Sequence, residues 1–136
     1  MLKVKVHRVL DMVIIRCHGT ITLGENFWML RNAIASLSSV RLVVLDLAGV
    51  RRIDAAGLGL LLSLRQAANA NAGQFKLMNV RPKVERMLRL TGLRSVFDFC
   101  SVFDMLNLVH LARAAGSTAR SSYSIPGSVL FDPPAA

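Results

Sequence analysis

The chain has 136 residues, 53% of them apolar, and 17 Lys and Arg against 8 Asp and Glu give it a net charge of +9. That length supplies one domain with its own hydrophobic core, without help from disulfides or metals. No window approaches the roughly 18 uninterrupted apolar residues of a membrane span, and the N-terminus lacks the apolar core of a secretory signal, so a cytoplasmic chain without direct membrane insertion is expected.

Residues 2–7 alternate, with Leu2, Val4 and Val6 against Lys3, Lys5 and His7. This is the pattern of a half-buried strand. Leu10-Asp11 reads as a turn, and the apolar run Met12–His18 as a second strand, hairpin-paired with the first and ended by Gly19. Thr22-Leu23-Gly24-Glu25 fits a capping box. The helix it opens is expected to reach about Leu37, with Phe27, Leu30, Ile34 and Leu37 as its core stripe. Trp28 falls off that stripe, either as a half-buried flank or as a partner contact.

Leu42–Leu47 is a near-continuous apolar run broken only by Asp46. It reads as a central parallel strand. Ala48–Ile53 reads as a connecting loop, and Asp54 as the N-cap of a helix running to about Asn71. Leu58, Leu61, Leu62 and Leu64 would face the core, and Gly73 would take the left-handed position that closes the helix. A strand over Phe75–Val80 follows, then a helix opened by Pro82, with Val84, Met87, Leu88 and Thr91 at helical spacing and Gly92 as its stop. Val96–Phe99 is the last strand. Ser101-Val102-Phe103-Asp104 is a capping pattern opening a final helix to about Ala115. The expected order, β-β-α-β-α-β-α-β-α, argues for an α/β fold: a mostly parallel sheet of four or five strands, an N-terminal antiparallel hairpin and about four helices. Residues 1–115 form the domain. Residues 116–136 hold three of the four prolines and read as a flexible tail.

Chemistry-bearing patterns are scarce. His7, His18 and His110 are far apart and have no Cys or carboxylate at metal-ligand spacing, so no metal site is expected. Asp46 and Asp54 are the only carboxylates near one strand end, and no nucleophile accompanies them. No phosphate loop or dinucleotide fingerprint occurs. The chain is therefore read as no enzyme, with no catalytic residues and no cofactor. Cys17 and Cys100 lie in apolar runs and read as buried reduced thiols. The basic residues are dispersed and lack interleaved aromatics, so nucleic acid is not the expected partner.

The segment with specific content is Val50–Gly59. Asp54 caps a helix whose first N–H groups are free and whose dipole favours negative charge, and Arg51 and Arg52 stand nearby. The longer run VVLDLAGVRRIDAAGLGLLL resembles the central motif of STAS domains, in which an apolar strand ending in Asp leads to Asp-Ser-Ser/Thr-Gly-Leu-Gly at a helix start. The similarity continues through Gly73–Val80, Arg81-Pro82-Lys83-Val84 and Met87–Leu93, and spans about residues 2–112.

The resemblance implies a STAS fold and a protein-interaction module of the anti-sigma factor antagonist type. In partner-switching antagonists a kinase-like anti-sigma factor phosphorylates the serine directly after the motif Asp. The corresponding residue here is Ala55, followed by Ala56, and neither carries a hydroxyl. The resemblance places the partner surface at Arg51, Arg52, Asp54, Ala55, Ala56, Gly57, Leu58 and Gly59, with Ala55 as the position that cannot be phosphorylated. The implied partner is an anti-sigma factor, and dimerisation is compatible with the fold. The alternative is a STAS subunit of an ABC-type lipid transporter or another signalling assembly, bound to the transporter's ATPase. A nucleotide at the same helix start is a third reading.

Overall fold

The alternation at the N-terminus becomes strand β1 (Leu2–Val9), with Leu2, Val4 and Val6 buried and Lys3 and Lys5 exposed. The structure, a computed structural model, describes residues 2–22, 25–36, 40–114 and 120–121. β1 pairs antiparallel with β2 (Met12–Ile21), as the hairpin reading requires. Then follow α1 (Glu25–Ser36), β3 (Leu42–Ile53), α2 (Ala55–Ala70), β4 (Gln74–Met78), α3 (Pro82–Leu90), β5 (Asp98–Cys100) and α4 (Val102–Ala114). A two-residue strand, β6 (Arg120–Ser121), pairs antiparallel with Arg8 and Val9. The sheet order is β5-β4-β3-β2-β1-β6, with β2 through β5 mutually parallel.

From β2 to β5 the chain steps in one direction across the sheet. Right-handed crossovers then put α1, α2 and α3 on the same face. Their buried side chains, among them Leu30, Ile34, Leu60, Leu61, Leu64, Val84 and Leu88, form the larger core with Val13, Ile15, Val43, Leu45 and Leu77 of the sheet. Each fully buried Leu or Ile contributes about 1.5–3 kcal/mol relative to exposure. The opposite face carries a smaller cluster, Met12, Ile14, Leu42, Val44 and Met78, against which Met105 and Val109 of α4 pack. Covering on both faces is why Leu42–Leu47 is buried throughout.

Several boundaries differ from the sequence reading. Gly19 does not end β2, and Ala48–Ile53 is strand rather than loop. The two strands continue together as Thr20↔Arg52 and Ile21↔Ile53, after register shifts that re-aim the side chains. Leu62 is exposed and Leu60 takes its place in the core. Met87 and Thr91 are exposed, Thr91 capping the end of α3 by donating its hydroxyl to the Met87 carbonyl at 2.8 Å. Trp28 is 54% exposed. The side chain of Phe27 and all of Leu37 lie outside the described residues, as do Leu23 and Gly24 of the first capping box and residues 122–136 of the tail segment. The second box is formed as read. The Asp104 N–H donates to Ser101 Oγ at 3.0 Å and the Ser101 N–H donates to Asp104 Oδ2 at 3.2 Å.

Both cysteines are free thiols, Cys17 buried and Cys100 only half-buried. Burial pushes the Cys17 thiol well above its ordinary value, and the Asp46 charge adds to the effect. Burial also raises Cys100.

The end of α2 departs from the reading in an instructive way. Gly73 N–H donates to the Ala68 carbonyl at 2.9 Å and Ala72 N–H to that of Asn69 at 3.0 Å. This is the Schellman pattern, and its left-handed residue is Ala72, at φ 59°. Gly73 is needed for another reason: a Cβ there would lie 2.7 Å from the Val40 carbonyl oxygen. A left-handed alanine costs about 1–2 kcal/mol, offset in part by the extra unfolded-state entropy of glycine. Ala72→Gly is therefore expected to stabilise the domain by up to about 1 kcal/mol in urea unfolding, with the slope unchanged.

Candidate functional site

The carboxyl ends of β2 and β3 carry the start of α2. Asp54 is extended (φ −109°, ψ −174°), and its Oδ1 accepts the Gly57 N–H at 2.8 Å. The Leu58 N–H donates to the Asp54 carbonyl at 2.9 Å, closing the first helical turn. Such a cap contributes about 0.5–2 kcal/mol. The N–H groups of Ala55 and Ala56 precede the first intrahelical donor and point out of the helix start. Ala55 is exposed, Ala56 is half-buried, and Arg51 and Arg52 are exposed on the last residues of β3. Positive partial charge and two guanidinium groups therefore meet at this end of the sheet, with the Asp54 carboxylate turned into the cap.

What fixes the helix there is Gly57. A Cβ on this residue would lie 2.1 Å from the Ile21 carbonyl oxygen and 2.6 Å from Ile53 Cγ1. The first turn thus rests on the backbone of β2 with no space for a methyl group. Gly59 is different: nothing lies within 4 Å of the position its Cβ would take. Leu58 is buried and anchors the same turn in the core.

The residues read from the sequence as a binding surface, Arg51, Arg52 and Asp54 through Gly59, are thus contiguous around one helix start, with Gly57 and Leu58 serving the packing beneath it. Asp46 does not join Asp54. It lies on the opposite sheet face, where its Oδ1 accepts from the Ala48 N–H at 3.0 Å and from Asn79 Nδ2 at 3.1 Å, while Arg16 Nε stands 3.8 Å from Oδ2. This tie across β2, β3 and the end of β4 was missed from the sequence, where its only trace is a carboxylate inside an apolar strand. The Arg81–Lys83 turn follows β4, whose pairing with β3 ends at Asp46↔Met78, so it leaves the sheet further back than Asp54. Exposed Leu62, Met87 and Leu90 on α2 and α3 add apolar surface on the helical side. Among the described residues no group of three or more His, Cys, Asp and Glu is placed to hold a metal, and no helix is long and apolar enough to cross a membrane.

The STAS domain family model matches residues 3–107. The chain belongs to the STAS domain family. Among solved structures it is similar to the anti-sigma factor antagonist SpoIIAA in its unphosphorylated form, at 20% identity and a TM-score of 0.64 over 79% of this chain and 96% of that one. It is similar to an anti-sigma factor antagonist from Mycobacterium paratuberculosis, at 22% identity and a TM-score of 0.65 over 81% and 95%. It is also similar to a sulfate transporter family protein from Wolinella succinogenes, at 17% identity and a TM-score of 0.66 over 77% and 89%. These likenesses establish the shared α/β fold.

The two glycines of the helix start should respond in opposite directions. Gly57→Ala forces the first turn off β2 and is expected to destabilise by about 1–3 kcal/mol, the usual range for overpacking. Gly59→Ala, in open space within a helix, is expected to stabilise by about 0.5–1 kcal/mol. Urea unfolding of both variants checks the pair.

Proposed function

We propose that this chain is a non-catalytic protein-interaction module that binds a kinase-like anti-sigma factor through the start of α2, as an anti-sigma factor antagonist-like regulator of transcription. The observation that carries this reading is the exposed Ala55 at a capped helix start, flanked by exposed Arg51 and Arg52, at the position where the family motif has its serine. The likeness to two anti-sigma factor antagonist structures supports it. Ala55 leaves its own position uncharged and without a phosphoryl acceptor, so binding there proceeds without a phosphorylation switch. Arg51, Arg52 and the Asp54–Gly59 turn form the contact surface.

A second reading is favoured by the likeness to a sulfate transporter family protein: the same surface attaches the module to a transport assembly, the ABC lipid-transporter ATPase being one such partner. Capture of partners from the native host by the full chain separates the two. Recovery of a protein with a kinase-like ATP-binding domain supports the first, and recovery of a transporter ATPase replaces it with the second.

With the captured kinase-like partner and ATP, the intact mass of residues 54–57 should stay unchanged and the complex should persist. Ala55→Ser is expected to gain a phosphoryl group and then release the partner. Ala55→Asp should separate stability from binding. A carboxylate in the first turn stabilises the helix by about 0.3–1 kcal/mol, while its charge at the contact surface is expected to weaken the complex at least about tenfold. Unchanged partner affinity in Ala55→Asp, with folding intact, would remove this surface from the reading.

A further inference from the structure

The cations at the carboxyl end of the sheet do not stop at Arg51 and Arg52. β4 parts from β3 at the Asp46↔Met78 pair, while β3 runs on to Ile53. α3 opens at Pro82, and among the strands its backbone contacts are mainly with β3. β4 already flanks Leu42–Asp46, so α3 lies against the continuation of β3 beyond that pair, the stretch that carries Arg51 and Arg52. Val84 and Leu88 are the buried side of α3, in the same core as Leu47 and Val50. Its exposed residues include Arg81, Lys83 and Arg86. The end of β3 therefore lies between α3 on one side and, on the other, the end of β2 that seats the start of α2.

These five cations are not balanced from within the domain. Arg16, Arg41, Arg89 and Arg94 each stand within ion-pair distance of a carboxylate. Among the described residues Arg51, Arg52, Arg81, Lys83 and Arg86 do not. The carboxylates closest along the chain are engaged elsewhere: Asp54 accepts the Gly57 N–H, and Glu85 takes Arg94 at 3.7 Å and Arg89 at 4.0 Å. The side chains between the cations are of another kind. Leu62 of α2 and Met87 of α3 are exposed, and Ala55 and Gly59 leave the start of α2 small and uncharged. An apolar middle with a cationic margin suits a protein face whose own apolar centre is ringed by carboxylates, better than it suits a phosphate backbone.

We propose that the contact surface extends from the start of α2 over the first turns of α3, and that the protein partner meets it with an acidic face, Asp and Glu side chains set against Arg51, Arg52, Arg81, Lys83 and Arg86. This rests on the reading of the α2 start as a protein-binding surface and adds the sign of charge the partner carries there. Marginal charges of this kind act chiefly on the association rate and on which partner is admitted.

The test uses the full chain and the purified protein that it captures from the native host, with association and dissociation rates measured over a range of salt concentrations. Arg81→Gln/Lys83→Gln/Arg86→Gln is expected to weaken the complex at least about tenfold at low ionic strength, mostly through slower association, and to flatten its salt dependence. Lys3→Gln/Arg41→Gln/Arg113→Gln removes the same charge elsewhere and should leave both unchanged. Carbodiimide treatment of the unaltered complex should join Lys83 Nζ to an Asp or Glu of the captured protein, read by peptide mass mapping. Urea unfolding checks that the variants fold, and Lys83→Gln/Arg86→Gln serves if the triple variant does not. Unaltered affinity and salt dependence in the α3 variant overturns the proposal, as does an equal loss in the charge-matched variant or cross-linking through Lys3, Lys5 or Lys76 alone. If Ala55→Asp still weakens the complex in that case, the α2 reading stands without the α3 extension; indifference to both removes both. Loss of binding to duplex DNA or to phosphatidylserine vesicles in the α3 variant, with affinity for the captured protein unchanged, assigns these cations to a polyanion and also overturns the proposal.

Discussion

The first turn of α2 sits against the end of β2, with the Cα of Gly57 over the Ile21 carbonyl and no room for a methyl group between them. The seat exists because β2 and β3 continue together as far as Ile21 and Ile53. A strand that stopped at Gly19 would leave nothing for the helix to rest on. Asp54 then closes the turn by accepting the Gly57 N–H, and Leu58 buries itself in the core. Backbone contact, cap and apolar anchor act on adjacent residues, so the exposed atoms of Ala55 are positioned by groups that are themselves buried or bonded. For the proposed contact surface, positioning of this kind lowers the ordering entropy lost on binding.

The two sheet faces solve different problems. Three crossover helices of the same hand seal one face, and they have to lie together because β2 through β5 advance in a single direction. Among the described helices only α4, 13 residues long, packs on the other face, over the cluster of Met12, Ile14, Leu42, Val44 and Met78. Beyond Leu42 and Val44, β3 carries Asp46 in place of another Val or Leu. Buried carboxylates require donors, and this one finds them on its own strand at Ala48 and just beyond β4 at Asn79. Asn79 reaches it from a left-handed backbone, at φ 57°, a conformation that asparagine tolerates better than most residues.

Much of this was legible in the sequence because it is written in local periodicity. The alternation of residues 2–7, the capping residues Asp54 and Ser101, the N1 proline Pro82 and the stop at Gly92 each act within a few residues of chain, and each appears where it was read. The residues from Arg51 to Gly59 were singled out by the resemblance to the STAS motif, and they are neighbours along the chain. The misreadings share a different cause. Gly-Val-Arg-Arg looks like a turn, and only the neighbouring β2 makes it strand. Leu60 and Leu62 are indistinguishable as letters, and the rotation of α2 set by Gly57 decides which is buried. Ala72 took the left-handed role expected of Gly73 because Gly73 was needed where the chain passes Val40. The Arg16–Asp46–Asn79 tie joins three distant segments, so no window of sequence contains it.

The distribution of charge is likewise set by the fold. Along the sequence the cations are dispersed. Folding sorts them. In β1 and β2 the two-residue period sends Lys3, Lys5 and Arg16 to one side of the sheet, and the antiparallel register sets Lys5 across from Arg16 and Lys3 across from His18. Arg51 and Arg52 are carried past that region by the extended end of β3 and emerge beside the helix start. One excess of positive charge is thus divided between the side of β1 and β2 that carries Lys3, Lys5 and Arg16 and the helix start beside Arg51 and Arg52. The two regions can therefore differ in what they attract although they draw on the same composition.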